Sequence, residues 1–262
     1  MIRGQEILCN RIDNYINLDK FPRTLMLIGA LGSGKHLLCE YIANKFNLQQ
    51  IDITEIISLE TIEEISERVE PYLYIIEINK LSIKEQNIIL KFLEEPLANS
   101  IIVLLAETVG DILDTVKNRC QQWYLQNYTI GYLREFSDNE QILKICTTPG
   151  QIKQLVENNF EEIFELANKI VDKIAIANLP NVLTIPNKLG FKNERGKIDP
   201  RLFISVLLSC FRDATISSNN RNLIDAYKLT CELSNNSRIR NIDLKYLMDK
   251  YLIEVREIMR RN

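Results

Sequence analysis

Gly29 to His36 reads G-A-L-G-S-G-K-H. Residues of these types at this spacing do phosphate chemistry. Gly29, Gly32 and Gly34 let the backbone turn tightly, so that N–H groups surround a phosphate at a helix N-terminus. Ser33 lies within the same turn, and Lys35 adds a positive charge between the outer phosphates. The pattern normally ends in Ser or Thr, whose hydroxyl holds Mg²⁺. Here that position is His36. Mg²⁺ is a hard ion that prefers oxygen, and imidazole is a poor substitute. The loop is built to receive a phosphate and poorly built to cut one.

Such a loop works only between a strand and a helix, and the flanks supply both. Thr24 to Ile28 is an apolar run, and Leu38, Ile42 and Phe46 form one helix face. Upstream, Ile7, Leu8, Ile12 and Ile16 have helical spacing. Downstream, Ile51 and Ile53 mark a short second strand. Thr61 with Glu64 has the spacing of a capping box, opening a helix to about Val69. Leu73 to Ile76 and Ile101 to Leu105 are continuous apolar runs, the mark of strands buried on both faces. Ser82 with Glu85 predicts a capping box and a helix through about Leu93 that stops at Pro96. Asp111 to Asn118 reads as a helix and Trp123 to Leu125 as a last short strand.

Strands alternating with helices over residues 1–125 predict an α/β fold with a parallel sheet. Ligands of such sheets bind beyond the C-terminal strand ends, where the loop, Glu77 and the segment after Leu105 fall. From 126 to 178 the pattern turns helical, with Thr148 as N-cap, Pro149 at the first helical position, and a helix over 161–173. Residues 179–199 hold Pro180, Pro186, Gly190 and Gly196 and read as a linker or irregular segment. Three helical patterns follow. The last, from about Ile242, carries Leu244, Met248, Tyr251, Leu252 and Val255 on one stripe that needs partners.

Composition sets outer bounds. The chain has 262 residues, 46% hydrophobic and 26% charged, with a formal net charge of −3. That balance argues against binding nucleic acid through overall charge alone. The six cysteines are widely separated and have no C-x-x-C, so they predict reduced core thiols in a cytoplasmic protein rather than disulfides or a zinc site. No apolar run approaches the roughly 20 residues of a membrane helix, and the opening residues lack a signal-peptide apolar stretch.

Leu90-Lys91-Phe92-Leu93-Glu94-Glu95-Pro96, followed by Asn118-Arg119-Cys120, resembles the clamp-loader branch of AAA+ proteins. Gly4-Gln5-Glu6 resembles that branch's opening, and within it the chain looks most like the delta-prime subunits of bacterial DNA polymerase III. The resemblance implies an AAA+ core with a five-stranded parallel sheet over 1–125, a helical lid over 126–178 and a helical collar over 179–262. It implies partners: gamma/tau-like ATPase subunits, a delta-like clamp-opening subunit, and, through the assembly, the sliding clamp and primed DNA. Counting back from the E-E-P run, it puts Ile76 where a metal-holding carboxylate belongs and Glu77 where a water-polarising glutamate belongs. Thr108 falls at the sensor position. The lid's phosphate-sensing arginine aligns with Gly150-Gln151 and is absent. Arg119 takes the place of an arginine finger, which acts on a neighbouring subunit's nucleotide. No four-cysteine zinc module follows the first helix.

The implied role is a non-hydrolysing clamp-loader subunit that needs no cofactor, while ATP, ADP or phosphate held without turnover stays compatible with the loop. Plainer readings stand beside it. Lys35 as a solvated helix-start lysine, His36 as a surface residue, Glu77 as a structural carboxylate, and Arg119 as a partner of Glu94 or Glu95 are all open. So are two rival functions: an ATPase that tolerates His36 and recruits Mg²⁺ through Glu77, and a replication scaffold that loads no clamp.

Overall fold

The computed structural model describes residues 2–97, 99–188, 199–218, 220–237 and 242–261. The chain divides into two compact units, 1–132 and 133–262. The expected lid lies in the second unit apart from residues 126–132, and the expected collar lies wholly within it.

The first unit is an α/β domain. Its order is α1 (Glu6–Asn17), β1 (Thr24–Ile28), α2 (Lys35–Phe46), β2 (Gln49–Asp52), α3 (Leu59–Ser66), β3 (Tyr72–Glu77), α4 (Ile83–Ile88), α5 (Leu90–Glu94), β4 (Ile101–Ala106), α6 (Asp114–Lys117), β5 (Gln121–Tyr124) and α7 (Ile130–Leu133), the last ending across the boundary. The five strands are ordered β2-β3-β4-β1-β5, and every pairing is parallel. Central strands β3 and β4 are the continuous apolar runs, as burial on both faces requires.

Alternation along the strands sorts side chains into two cores. Leu25, Leu27, Leu73, Ile75, Val103, Leu105 and Trp123 pack against α1 and α2 through Leu8, Ile12, Leu38 and Ile42. Met26, Ile28, Tyr74, Ile76, Leu104 and Ala106 pack on the other face with Ile62, Ile65, Phe92 and Val116.

Local chemistry sets most helix ends. Ser82 and Glu85 form the expected capping box. The helix it opens breaks at Ile89 into α4 and α5. The start of α3 differs from expectation: Ser58, not Thr61, is the N-cap, and its hydroxyl accepts from Thr61 N at 3.1 Å. Threonine three residues on had drawn the assignment because it too has a glutamate at the right distance.

The second unit is helical: α8 (Glu140–Ile145), α9 (Pro149–Glu157), α10 (Phe160–Lys173), α11 (Leu179–Val182), α12 (Ile185–Lys188), α13 (Pro200–Ser218), α14 (Arg221–Asn236) and α15 (Leu244–Met259). Thr148 caps α9 with Pro149 in its first turn. The expected linker is not wholly irregular, because 179–188 forms two short helices; Gly190 and Gly196 lie outside the described residues. Helix α13 packs on both α10 and α14, and α14 on α15. Met248, Tyr251, Leu252 and Val255 of the closing stripe are buried, so within this unit they serve as core. Arg256 donates from Nε to the Ala177 carbonyl at 3.0 Å.

Among the described residues, no helix is long and apolar enough to cross a membrane. Cys9, Cys39, Cys146 and Cys210 are buried free thiols, while Cys120 and Cys231 are partly buried. Burial pushes Cys39, Cys120, Cys146 and Cys210 up to about 12, which keeps them as unreactive thiols.

Candidate functional site

The loop sits where the topology demands, at the C-terminal end of β1 and the N-terminus of α2. Gly29 N donates to Ala106 O at 2.9 Å, which ties the start of the loop to the end of β4. Gly32 has φ +74° and Gly34 φ +94°. Gly34 caps α2 in the left-handed region, where a side chain is strained. Ser33 is buried, and among the described residues its hydroxyl oxygen has no hydrogen-bond partner. An orphaned buried hydroxyl in a glycine-rich turn fits a loop shaped for a polar ligand.

Lys35 folds back on the loop. Its Nζ donates to Gly29 O at 2.6 Å and to Ala30 O at 3.0 Å. Burial lowers its pKa, opposed by the nearby Glu107 and Glu77 carboxylates. The solvated-lysine reading is thereby set aside. Glu107, at the end of β4, was not singled out from sequence, and no motif marks it.

His36 is exposed, and its Nε2 lies 3.8 Å from Glu77 Oε1. Strand parity explains the contact. Glu77 follows Leu73 and Ile75 onto the α2 side, whereas Ile76 is fully buried on the opposite face. Of the two residues expected at the metal-holding and water-polarising positions, Ile76 points into the core and Glu77 is the side chain opposite residue 36. Its other oxygen lies 3.0 Å from Lys80 Nζ. The His36 imidazole and, against the opposing effect of burial, the Lys80 ammonium hold the Glu77 carboxyl down to about 2. The Glu77 backbone N–H donates to Thr54 Oγ1 at 2.9 Å. An imidazole and a carboxylate already flanked by two basic groups do not fit Mg²⁺, which wants oxygen ligands free to turn toward it.

Thr108 is exposed at the same sheet end, and its carbonyl accepts from Asn79 Nδ2 at 3.0 Å. Asn79 Oδ1 accepts from Glu107 N at 2.7 Å. Asn79 thus stitches the end of β3 to the segment after β4. On the other side of the loop, Tyr128 donates from its hydroxyl to Ser33 O at 2.8 Å and stacks on Tyr132 at 5.3 Å. Gly4 fits beneath it; an added Cβ would lie 2.3 Å from the Tyr128 ring. Gln5 is fully buried and exchanges two hydrogen bonds with the Gln126 backbone. The two tyrosines were missed because nothing in their spacing signals contact with a loop so distant in sequence.

Arg119 lies elsewhere. Its carbonyl accepts from Thr24 Oγ1 at 2.6 Å, at the N-terminal start of β1. The five residues of β1 separate that point from the loop, a span of about 16 Å at the usual strand rise. Its guanidinium holds Glu94: Nε donates to Glu94 Oε1 at 2.6 Å, Nη2 donates to the same oxygen, and Nη1 donates to Thr115 O at 2.8 Å. In the second unit, Gln151 accepts from Thr147 N at 2.8 Å, tightening the start of α9.

Residues 48–129, which carry Glu77, the E-E-P run and Arg119, match the model of a family described as DNA polymerase III, delta subunit. No curated protein matches the chain by sequence. Among solved structures it is similar to a DNA polymerase III gamma subunit-related protein of Thermotoga maritima, at 16% identity and TM-score 0.51 over 97% of this chain and 99% of that one. It also aligns with the Bacillus subtilis DNA clamp loader delta protein, at 14% identity and TM-score 0.36 over 95% and 99%. A third, RuvB of Thermotoga maritima, aligns at 16% and 0.49 over 80% and 76%. The family match covers 82 of the 262 residues, and the likeness to the gamma subunit-related protein is one of fold. In this chain, the sheet end with the glycine-rich loop and the sheet start with Arg119 are separate places.

Proposed function

We propose that this chain is a delta-prime-like, non-hydrolysing subunit of a bacterial replicative clamp loader, and that Arg119 serves as an arginine finger on a neighbouring subunit's ATP. One observation carries the reading: Arg119 stands at the opposite end of β1 from its own loop, beyond reach of any phosphate held there. A guanidinium so placed serves another chain's nucleotide or none. The state of the loop supports the same reading. His36 and Lys80 already occupy Glu77, and metal bridging of the β- and γ-phosphates is central to hydrolysis.

In this account the chain works in the cytoplasm among gamma/tau-like ATPase subunits and a delta-like subunit, and acts on the sliding clamp and primed DNA through the assembly. It needs no cofactor of its own. The rival reading, an Mg²⁺-dependent ATPase, draws support from one feature: a carboxylate, Glu77, does face residue 36.

Phosphate release separates the two. The purified chain, assayed with ATP with and without Mg²⁺, is expected to show no turnover. Adding it to the ATPase and clamp-opening subunits is expected to raise DNA-stimulated turnover. Brisk Mg²⁺-dependent turnover by the chain alone would refute the proposal.

A further inference from the structure

Arg119 and Glu94 form an ion pair with side chains 31% and 47% exposed. Exposed pairs of this kind contribute little to stability. What the pair does supply is orientation. Glu94 ends α5 and Arg119 follows α6, two elements packed against each other. Glu94 Oε1 receives both Nε and Nη2, and the Thr115 carbonyl receives Nη1. A guanidinium has five N–H donors in a rigid plane. Among the described residues, these contacts leave Nη1 and Nη2 each with a second N–H to offer. The side chain is locked in one direction, yet it is not used up.

We propose that Glu94 is a positioning residue: it fixes the Arg119 guanidinium so that the remaining N–H pair is presented, already oriented, to an anionic oxygen of a neighbouring chain's nucleotide. This rests on the finger role proposed for Arg119. The pairing with Glu94, which taken alone looks like an ordinary surface contact, then becomes part of the finger. An untethered arginine would lose rotamer freedom when it engaged; one held on two sides has already given it up. Misplacement of a stabilising group by a fraction of an ångström is costly in rate and need not change substrate affinity.

Two measurements test it. In the isolated chain, Arg119 Nε–H is expected to give a protected NMR resonance that Glu94→Gln shifts and exposes to exchange; a resonance unmoved by E94Q would show that the pair does not form and overturn the inference. In the assembled loader, E94Q is expected to lower kcat for DNA-stimulated ATP turnover about tenfold with KM for ATP unchanged, and Glu94→Asp to recover part of it. Arg119→Ala is the reference. If R119A lowers turnover while E94Q is fully active, the finger stands and the positioning role falls. If R119A itself leaves turnover unchanged, the finger reading fails and takes this inference with it. Circular dichroism of E94Q, expected to match the parent, guards against misfolding, and E94D serves if it does not.

Discussion

His36 and Glu77 face each other at 3.8 Å across the mouth of the loop. That is longer than a hydrogen bond, whereas Lys80 Nζ lies 3.0 Å from the other Glu77 oxygen. Together the three side chains form a self-contained cluster at the end of β3.

The cluster has a pH signature. Glu77 falls to about 2 in the folded chain, against about 4.3 for an unperturbed glutamate. A depressed carboxyl stabilises the fold above the unfolded value, and that stability is lost as pH falls through the folded value. Glu77→Gln is therefore expected to lower stability by on the order of 1 kcal/mol at pH 6, with the gap to the parent closing between about pH 4.3 and pH 2. Chemical denaturation along a pH series reads this directly. A gap that widens on acidification would contradict the assignment.

Metal dependence is the second expectation. Because residue 36 offers no hydroxyl and Glu77 is engaged, whatever affinity the loop has for ATP should be indifferent to Mg²⁺. Titration calorimetry with ATP in Mg²⁺ and in EDTA is expected to agree within about twofold, well under 1 kcal/mol. A tenfold gain with Mg²⁺ would show that His36 and Lys80 yield to the ion.

Two glycines differ in what they tolerate. At Gly34 the backbone is left-handed, but the nearest atom to an added Cβ is Tyr128 Oη at 3.6 Å. Gly34→Ala should cost about 1–2 kcal/mol for the dihedral alone. At Gly4 the same strain is joined by a Cβ 2.3 Å from the Tyr128 ring, which stacks on Tyr132. Gly4→Ala should add about 1–3 kcal/mol of overpacking. Thermal unfolding of the two variants is expected to place G4A clearly below G34A; equal losses would mean that the ring moves aside freely.

Much of this was legible in the sequence. The parallel sheet followed from Leu73–Ile76 and Ile101–Leu105, because strands buried on both faces leave no room for polar residues. Ser82 and Glu85 announced their capping box because both partners are local. Which of Ile76 and Glu77 faces the loop was not legible by counting, since spacing along a motif does not fix which face of β3 a side chain takes. Packing does, through the parity shared by Leu73, Ile75 and Glu77. Tyr128 and Glu107 were invisible for a related reason: each reaches the loop from far along the chain, and no periodicity encodes that contact. For Arg119 the sequence allowed either an ion pair with Glu94 or a finger. The geometry has the ion pair and still leaves N–H groups to donate.

The account turns on Arg119, and DNA-stimulated ATP turnover by the assembled loader carrying Arg119→Ala tests it most directly. In well-studied phosphoryl-transfer systems an arginine finger contributes about 10³–10⁵ in rate at its own site. With several sites firing, the predicted result is a clear fall in steady-state turnover while the loader still assembles. An assembled loader with R119A that consumes ATP as fast as the parent would contradict the account.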